Sequence, residues 1–129
     1  MIEIVDAGVA STIQDGGRSG WAHLGVPRSG FVDPRLARLV NRLVGNPDDT
    51  ALIETCGNLA IRAITAVTIA SSVERVALSL RAGAGWRLPP GEGNLWHYVA
   101  VRGGIDVVAV LGSRSTDTLS GIEPAPLRA

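Results

Sequence analysis

ALIETCGNLAIRAITAVTIASSVERVALSL, residues 51–80, breaks into short apolar runs divided by Gly57, Asn58 and small polar turns. Ala51 to Thr55, Leu59 to Ile64, Val67 to Ser71 and Arg75 to Leu80 are too short for helices. They are rich in the Val, Ile, Leu and Thr that suit a pleated surface. Trp96 to Val101 repeats the pattern downstream, and Ile2 to Ala7 alternates upstream before stopping at Gly8. Gly83, Gly85, Pro89, Pro90, Gly91 and Gly93 break the middle of the chain. Arg102-Gly103-Gly104 breaks its end, ahead of a further apolar strand expected from Val107 to Leu111.

One helix interrupts this series. Asp33 supplies a cap and Pro34 the first helical position. Leu36, Leu39, Val40, Leu43 and Val44 recur at helical spacing, with Arg35, Arg38 and Arg42 opposite. Gly45 stops it and Asn46-Pro47-Asp48-Asp49 makes a turn. Mainly β with one early helix, a sandwich or barrel in a single domain over residues 1–129, is the predicted architecture.

The 129 residues carry no net charge and no lysine; all 12 basic residues are arginine. A neutral chain lacks the electrostatic footprint of a nucleic-acid or anionic-membrane binder. The missing lysine excludes a lysine-bearing phosphate loop, a Schiff base and a biotinyl-lysine within these residues. One cysteine, Cys56, excludes an internal disulfide, and with His23 and His97 it falls short of a four-ligand zinc set without carboxylates. The acidic start MIEIVDAG does not read as a signal peptide, and no apolar run approaches the about 20 residues that span a bilayer. A cytoplasmic protein is expected.

Two polar segments stand out. TIQDGGRSGWAHLGVPRSGFVD, Thr12 to Asp33, is glycine-rich and almost without apolar runs, and long ordered loops of this kind are usually functional. Its glycines permit close backbone approach, and Gln14, Asp15, Arg18, Arg28 and Ser29 could face a small anionic molecule. The alternative is a surface loop in which Asp15 and Arg18 pair. RGGIDVVAVLGSRSTDTLSG, Arg102 to Gly121, places Ser113, Arg114, Ser115 and Thr116 after the expected strand. Those hydroxyls either bind an oxyanion or cap their own turn. Glu54 in LIETCG is either a buried acid with a partner or a strand-edge residue. A Ser-His-Asp triad would need Ser29 or Ser113 beside His23 or His97, without a nucleophile-elbow pattern.

Together with NRLVGN and LIETCGNL, these two segments closely resemble the N-terminal half of the allophanate hydrolase subunit 2 family. That family is also described as the C-type subunit of 5-oxoprolinase or as a biotin-dependent carboxyltransferase domain. The resemblance runs collinearly from Glu3 to Arg128. It implies a cyclophilin-like β-barrel, usually with two related halves, and a B-type partner resembling allophanate hydrolase subunit 1. In the 5-oxoprolinase version, three different subunits together open 5-oxoproline to glutamate at the expense of ATP. Fused relatives transfer a carboxyl group from biotin to urea, and another relative antagonises an inhibitor of a sporulation kinase.

The resemblance thus implies a non-autonomous subunit of an amide hydrolase or carboxyltransferase complex, or a partner-binding protein. ATP would act in the complex, and biotin would have to sit on a partner chain. Gln14, Asp15, Arg18, Arg28, Ser29, Ser113, Arg114, Ser115 and Thr116 are the residues expected to hold substrate or anion. The chain stops at PAPLRA, where the family continues into its second half. An incomplete barrel with exposed strand edges, prone to homo-oligomerise, is therefore expected.

Overall fold

The computed structural model describes residues 1–129 as three stacked layers: a helix, a five-stranded sheet and a three-stranded sheet. In chain order the elements are β1 (Ile2–Asp6), β2 (Thr12–Gln14), α1 (Pro34–Leu43), β3 (Leu52–Thr55), β4 (Ala60–Ala63), β5 (Val67–Ser71), β6 (Ala77–Leu80), β7 (Gly85–Arg87) and β8 (His97–Val101). The small sheet runs β1-β4-β7 and the large one β2-β3-β8-β5-β6, with every pairing antiparallel. The two sheets do not close into a barrel.

The middle layer explains why its strands do not alternate cleanly between apolar and polar residues. All five residues of β8 are buried: Tyr98 and Ala100 face α1, while Val99 and Val101 face the small sheet. A strand covered on both sides has no solvent face to mark with polar residues. Leu52 joins the helix-side core with Phe31, Leu36, Ala37, Val40 and Val44, and Ile53 joins the other core with Leu59, Ile61 and Ile69.

Helix α1 begins as its caps dictate: the Asp33 carboxylate accepts from the Leu36 amide at 3.2 Å, and Gly45 leaves the last turn at φ +79°. Leu39 is 37% exposed, so it lies at the margin of the buried stripe. Asn41 is fully buried inside the helix, and its amide donates to the carbonyls of Asp48 and Thr50 at 3.1 and 2.9 Å. Asn46 donates to Val101 O at 2.9 Å and accepts from the Gly103 amide. NRLVGN therefore fastens the helix to the end of β8.

Two expectations are corrected. Val107 to Leu111 is not a strand: Val108 is 82% exposed, and the segment makes only an isolated bridge, Val110 to Ser113. The reason is competition for an edge. The free side of β2 is taken by residues further on, through Thr116 N to Ile13 O (2.8 Å), Ile13 N to Thr116 Oγ1 (3.3 Å) and Leu127 N to Ser11 O (2.9 Å). The chain covers that edge itself. Second, Gly85 does not break the middle but starts β7, which pairs with β4.

Candidate functional site

The two polar segments meet, and Asp15 joins them. Its Oδ1 accepts from Ser113 Oγ (2.6 Å), Ser115 Oγ (2.8 Å) and the Gly17 amide (2.8 Å); its Oδ2 accepts from the Arg114 amide at 2.7 Å. Burial alone would raise this carboxyl, but the bonds from Ser113, the Arg114 and Gly17 amides and Ser115 outweigh it and hold Asp15 below the usual carboxylate range. Arg18 grips the same segment by its carbonyls, with Nη2 donating to Ser115 O at 2.7 Å and Ser113 O at 3.4 Å and Nε to Val110 O at 3.2 Å. Asp15 and Arg18 form no ion pair with each other.

Those bonds use up most of the polar groups expected to bind a ligand. Gln14 donates to Thr116 O and Thr12 Oγ1 and accepts from the Gly30 amide. Ser113 Oγ caps its own turn by accepting from the Ser115 amide at 3.0 Å. Arg18, Ser113, Ser115 and Thr116 are each no more than 3% exposed. The glycines serve the same lock. A Cβ on Gly17 would lie 2.9 Å from the carbonyl oxygens of Arg28 and Ser29, and one on Gly30 would lie 2.8 Å from Gly17 Cα. Both glycines have φ +91°, open to them and unfavourable to other residues.

Arg18 Nη1 stays buried without a partner, and the other free groups line two clefts beside the lock. The larger, about 510 Å³, is bounded by Asp15, Asp49, Gly104, Ile105, Asp106 and Arg114. Arg114 donates Nε to Val107 O at 2.9 Å and keeps its terminal amino groups without a protein partner. The smaller, about 190 Å³, is bounded by Gly16, Arg28, Ser29, Phe31, Pro34 and Arg38. Asp49 stands between them: it rests against Gly16 and accepts from Arg38 Nε at 3.0 Å. Of the residues singled out from sequence, Arg28, Ser29 and Arg114 thus face open space. Arg38, Asp49 and Asp106 were missed; helical periodicity had placed Arg38 on the solvent side without showing which loop packs there.

Glu54 lies under this assembly and is 3% exposed. Its Oε2 accepts from Tyr98 Oη (2.7 Å) and the Val32 amide (2.8 Å), while Tyr98 Oη accepts from the Asp33 amide at 2.8 Å. Phe31 meets the Tyr98 ring edge-on, with centroids 6.1 Å apart. The acid therefore ties the end of the glycine loop and the start of α1 to β3 and β8. Burial raises the Glu54 carboxyl, only partly offset by the Val32 amide and Tyr98. The folded state then binds a proton more tightly than the unfolded one, and ionising Glu54 costs stability as pH rises from 4.5 through the higher folded value. Glu54→Gln keeps an acceptor oxygen and is expected to be at least as stable at neutral pH, with a flatter stability profile. Glu54→Ala should lose about 1–3 kcal/mol by leaving buried donors unpaired. Urea unfolding across the pH range checks both.

A thiol or triad chemistry finds no support. Cys56 and His97 line a separate cleft of about 240 Å³; burial, then Glu54, pushes the thiol up, and burial pushes the imidazole down. Ser113 Oγ is bonded to Asp15 and does not line the cleft that holds His97.

The family model described as "Carboxyltransferase domain, subdomain A and B" matches residues 24–129. The chain belongs to this carboxyltransferase-domain family. The C-type subunit of 5-oxoprolinase from Escherichia coli is 37% identical over 95% of this carboxyltransferase-family chain and 44% of its own length. The urea amidolyase of Lachancea kluyveri is 33% identical over 93% of the chain and 7% of its own. Among solved structures, TTHA0988 superposes with a TM-score of 0.89 at 30% identity, covering 98% of this chain and 53% of that one. The Kluyveromyces lactis urea carboxylase gives 0.84 at 31%, covering 89% and 12%. The carboxyltransferase-family chain spans less than half the length of the curated 5-oxoprolinase subunits it matches. No helix is long and apolar enough to cross a membrane.

Proposed function

We propose that the chain is a C-type component of an ATP-dependent 5-oxoprolinase, acting with a partner that resembles allophanate hydrolase subunit 1 and, through the complex, with ATP. The observation that carries this reading is the 37% identity to the matching 5-oxoprolinase subunit across nearly the whole chain. The larger cleft is chemically suited to it. Arg114 offers a planar pair of donors for the carboxylate of 5-oxoproline, and Asp49 and Asp106 offer acceptors for the lactam N–H and for the ammonium group of the product. Hydrolysis breaks the ring C–N bond, adds hydroxyl to the carbonyl carbon and a proton to nitrogen, and yields glutamate. ATP hydrolysis supplies the driving force.

Arg114→Ala should lower kcat/KM for 5-oxoproline about 10- to 100-fold in the reconstituted complex, the size expected for losing a charge-assisted bond to a carboxylate. Because the Arg114 main chain makes the bond to Asp15, folding should be retained. An unchanged rate of ATP-dependent glutamate formation would remove the role.

The 33% identity to a urea amidolyase favours a second reading, a carboxyltransferase subunit using biotin carried by a partner chain. Avidin separates the two: it should stop a biotin-dependent transfer and leave 5-oxoproline hydrolysis untouched. A chain that binds its partner without supporting either reaction would instead be an antagonist of the kinase-inhibitor type.

A further inference from the structure

We propose that the smaller cleft, between the glycine loop and the start of α1, is an oxyanion subsite that takes a phosphate-type group. Its six bounding residues include two arginines and no acid, and the acid just behind them, Asp49, is paired with Arg38. Arg28 is exposed and has no ion-pair partner, and its side chain makes no hydrogen bond within the chain. Arg38 bonds Asp49 through Nε alone, so its terminal amino groups are also free. Asp49 balances the Arg38 charge, so the Arg28 charge is the one left without a partner, and the forked donors of both arginines match phosphate or carboxylate oxygens.

The rest of the cleft suits the same ligand. Ser29 adds a hydroxyl without a protein partner, on a backbone held at φ +54°. Phe31 is 8% exposed and packed on Tyr98, so one wall is apolar and weakens screening. Pro34, the first residue of α1, brings the positive end of the helix to the rim. The nearest acid on that element, Asp33, is turned to the Leu36 amide and does not line the cleft. At about 190 Å³ the space is below the range of whole-ligand pockets, so it admits a charged group rather than a nucleotide.

The large cleft, by contrast, mixes Arg114 with aspartates. The two differ in charge and are separated by the Arg38–Asp49 pair, so an anionic group in one and an amide in the other need not compete. This inference concerns binding alone, and it stands or falls independently of the reaction proposed above.

Calorimetric titration of the full chain with inorganic phosphate at low ionic strength tests it, with sodium acetate and sodium chloride as parallel titrants. One saturable phosphate site is expected, weakened roughly tenfold or more in Arg28→Ala and in Arg38→Ala, with no saturable response to chloride. Neither substitution removes a buried bond, so thermal melting should change little. Acetate binding as tightly as phosphate would overturn the phosphate assignment and give the subsite to a carboxylate; phosphate binding alone would support a phosphoryl group. No saturable binding, or equal affinity in wild type and Arg28→Ala, overturns the proposal.

Discussion

Asp15→Ala is expected to lose about 3–5 kcal/mol of stability at neutral pH, the largest effect of any single substitution in the polar loops. Four donors converge on this one carboxylate, and two of them belong to the fully buried Ser113 and Ser115. Alanine leaves those donors without water and without a partner. Asp15→Asn should retain part of the loss: the amide oxygen can replace Oδ1, while its NH2 group meets the Arg114 amide donor to donor. The sign of the pH dependence follows from the lowered carboxyl. Its contribution is complete above the unfolded value near 3.8 and disappears as pH falls through the lower folded one, so wild type and variant should converge in acid. Urea midpoints in a pH series measure this. A neutral-pH difference below about 1 kcal/mol would mean that the two loops are held by something other than Asp15.

That dominance of one carboxylate also explains which parts of the fold are legible in sequence. Helix α1 is legible because its signals are local: the Asp33 cap, Pro34 and Gly45 sit at the ends of a periodic run. β3, β5 and β8 are legible because their apolar runs are buried on one or both faces. β2 and β7, three residues each, are not legible, because TIQ and GWR become strands only where β3 and β4 offer edges far along the chain. Val107 to Leu111 is the converse case. Its β-forming composition is real, but residues 116 and 127 already occupy the edge of β2, and a run without a partner stays a loop.

In the site, motif and role part company. The resemblance marks the glycine loop and GSRST as family motifs and expects both to hold a ligand, yet sequence could not say that Asp15, Arg18 and the serines would face each other instead. Glycine spacing gives permission for close approach without naming what approaches. Arg38 and Asp49 entered the site through packing: Asn41 ties α1 to its following turn, Asn46 ties that turn to the end of β8, and Tyr98 ties the start of α1 to β8. None of those contacts has a short-range sequence signature.

Gly17→Ala should cost about 3 kcal/mol or more, and it separates the two reasons a loop needs glycine. At φ +91° any side chain is strained by roughly 1–2 kcal/mol. The added methyl would also stand 2.9 Å from two backbone oxygens, those of Arg28 and Ser29, so the strands of the loop must separate. Gly20 is the control: its φ is +87°, and a Cβ there meets nothing within 4 Å. Gly20→Ala should therefore show only the conformational cost. The pair extends to binding, because moving residues 28 and 29 displaces Arg28 from the small cleft. Phosphate affinity should fall in Gly17→Ala and persist in Gly20→Ala. Equal losses of stability in both variants would show that backbone conformation alone, and not the close approach of residues 28 and 29, makes glycine necessary at position 17.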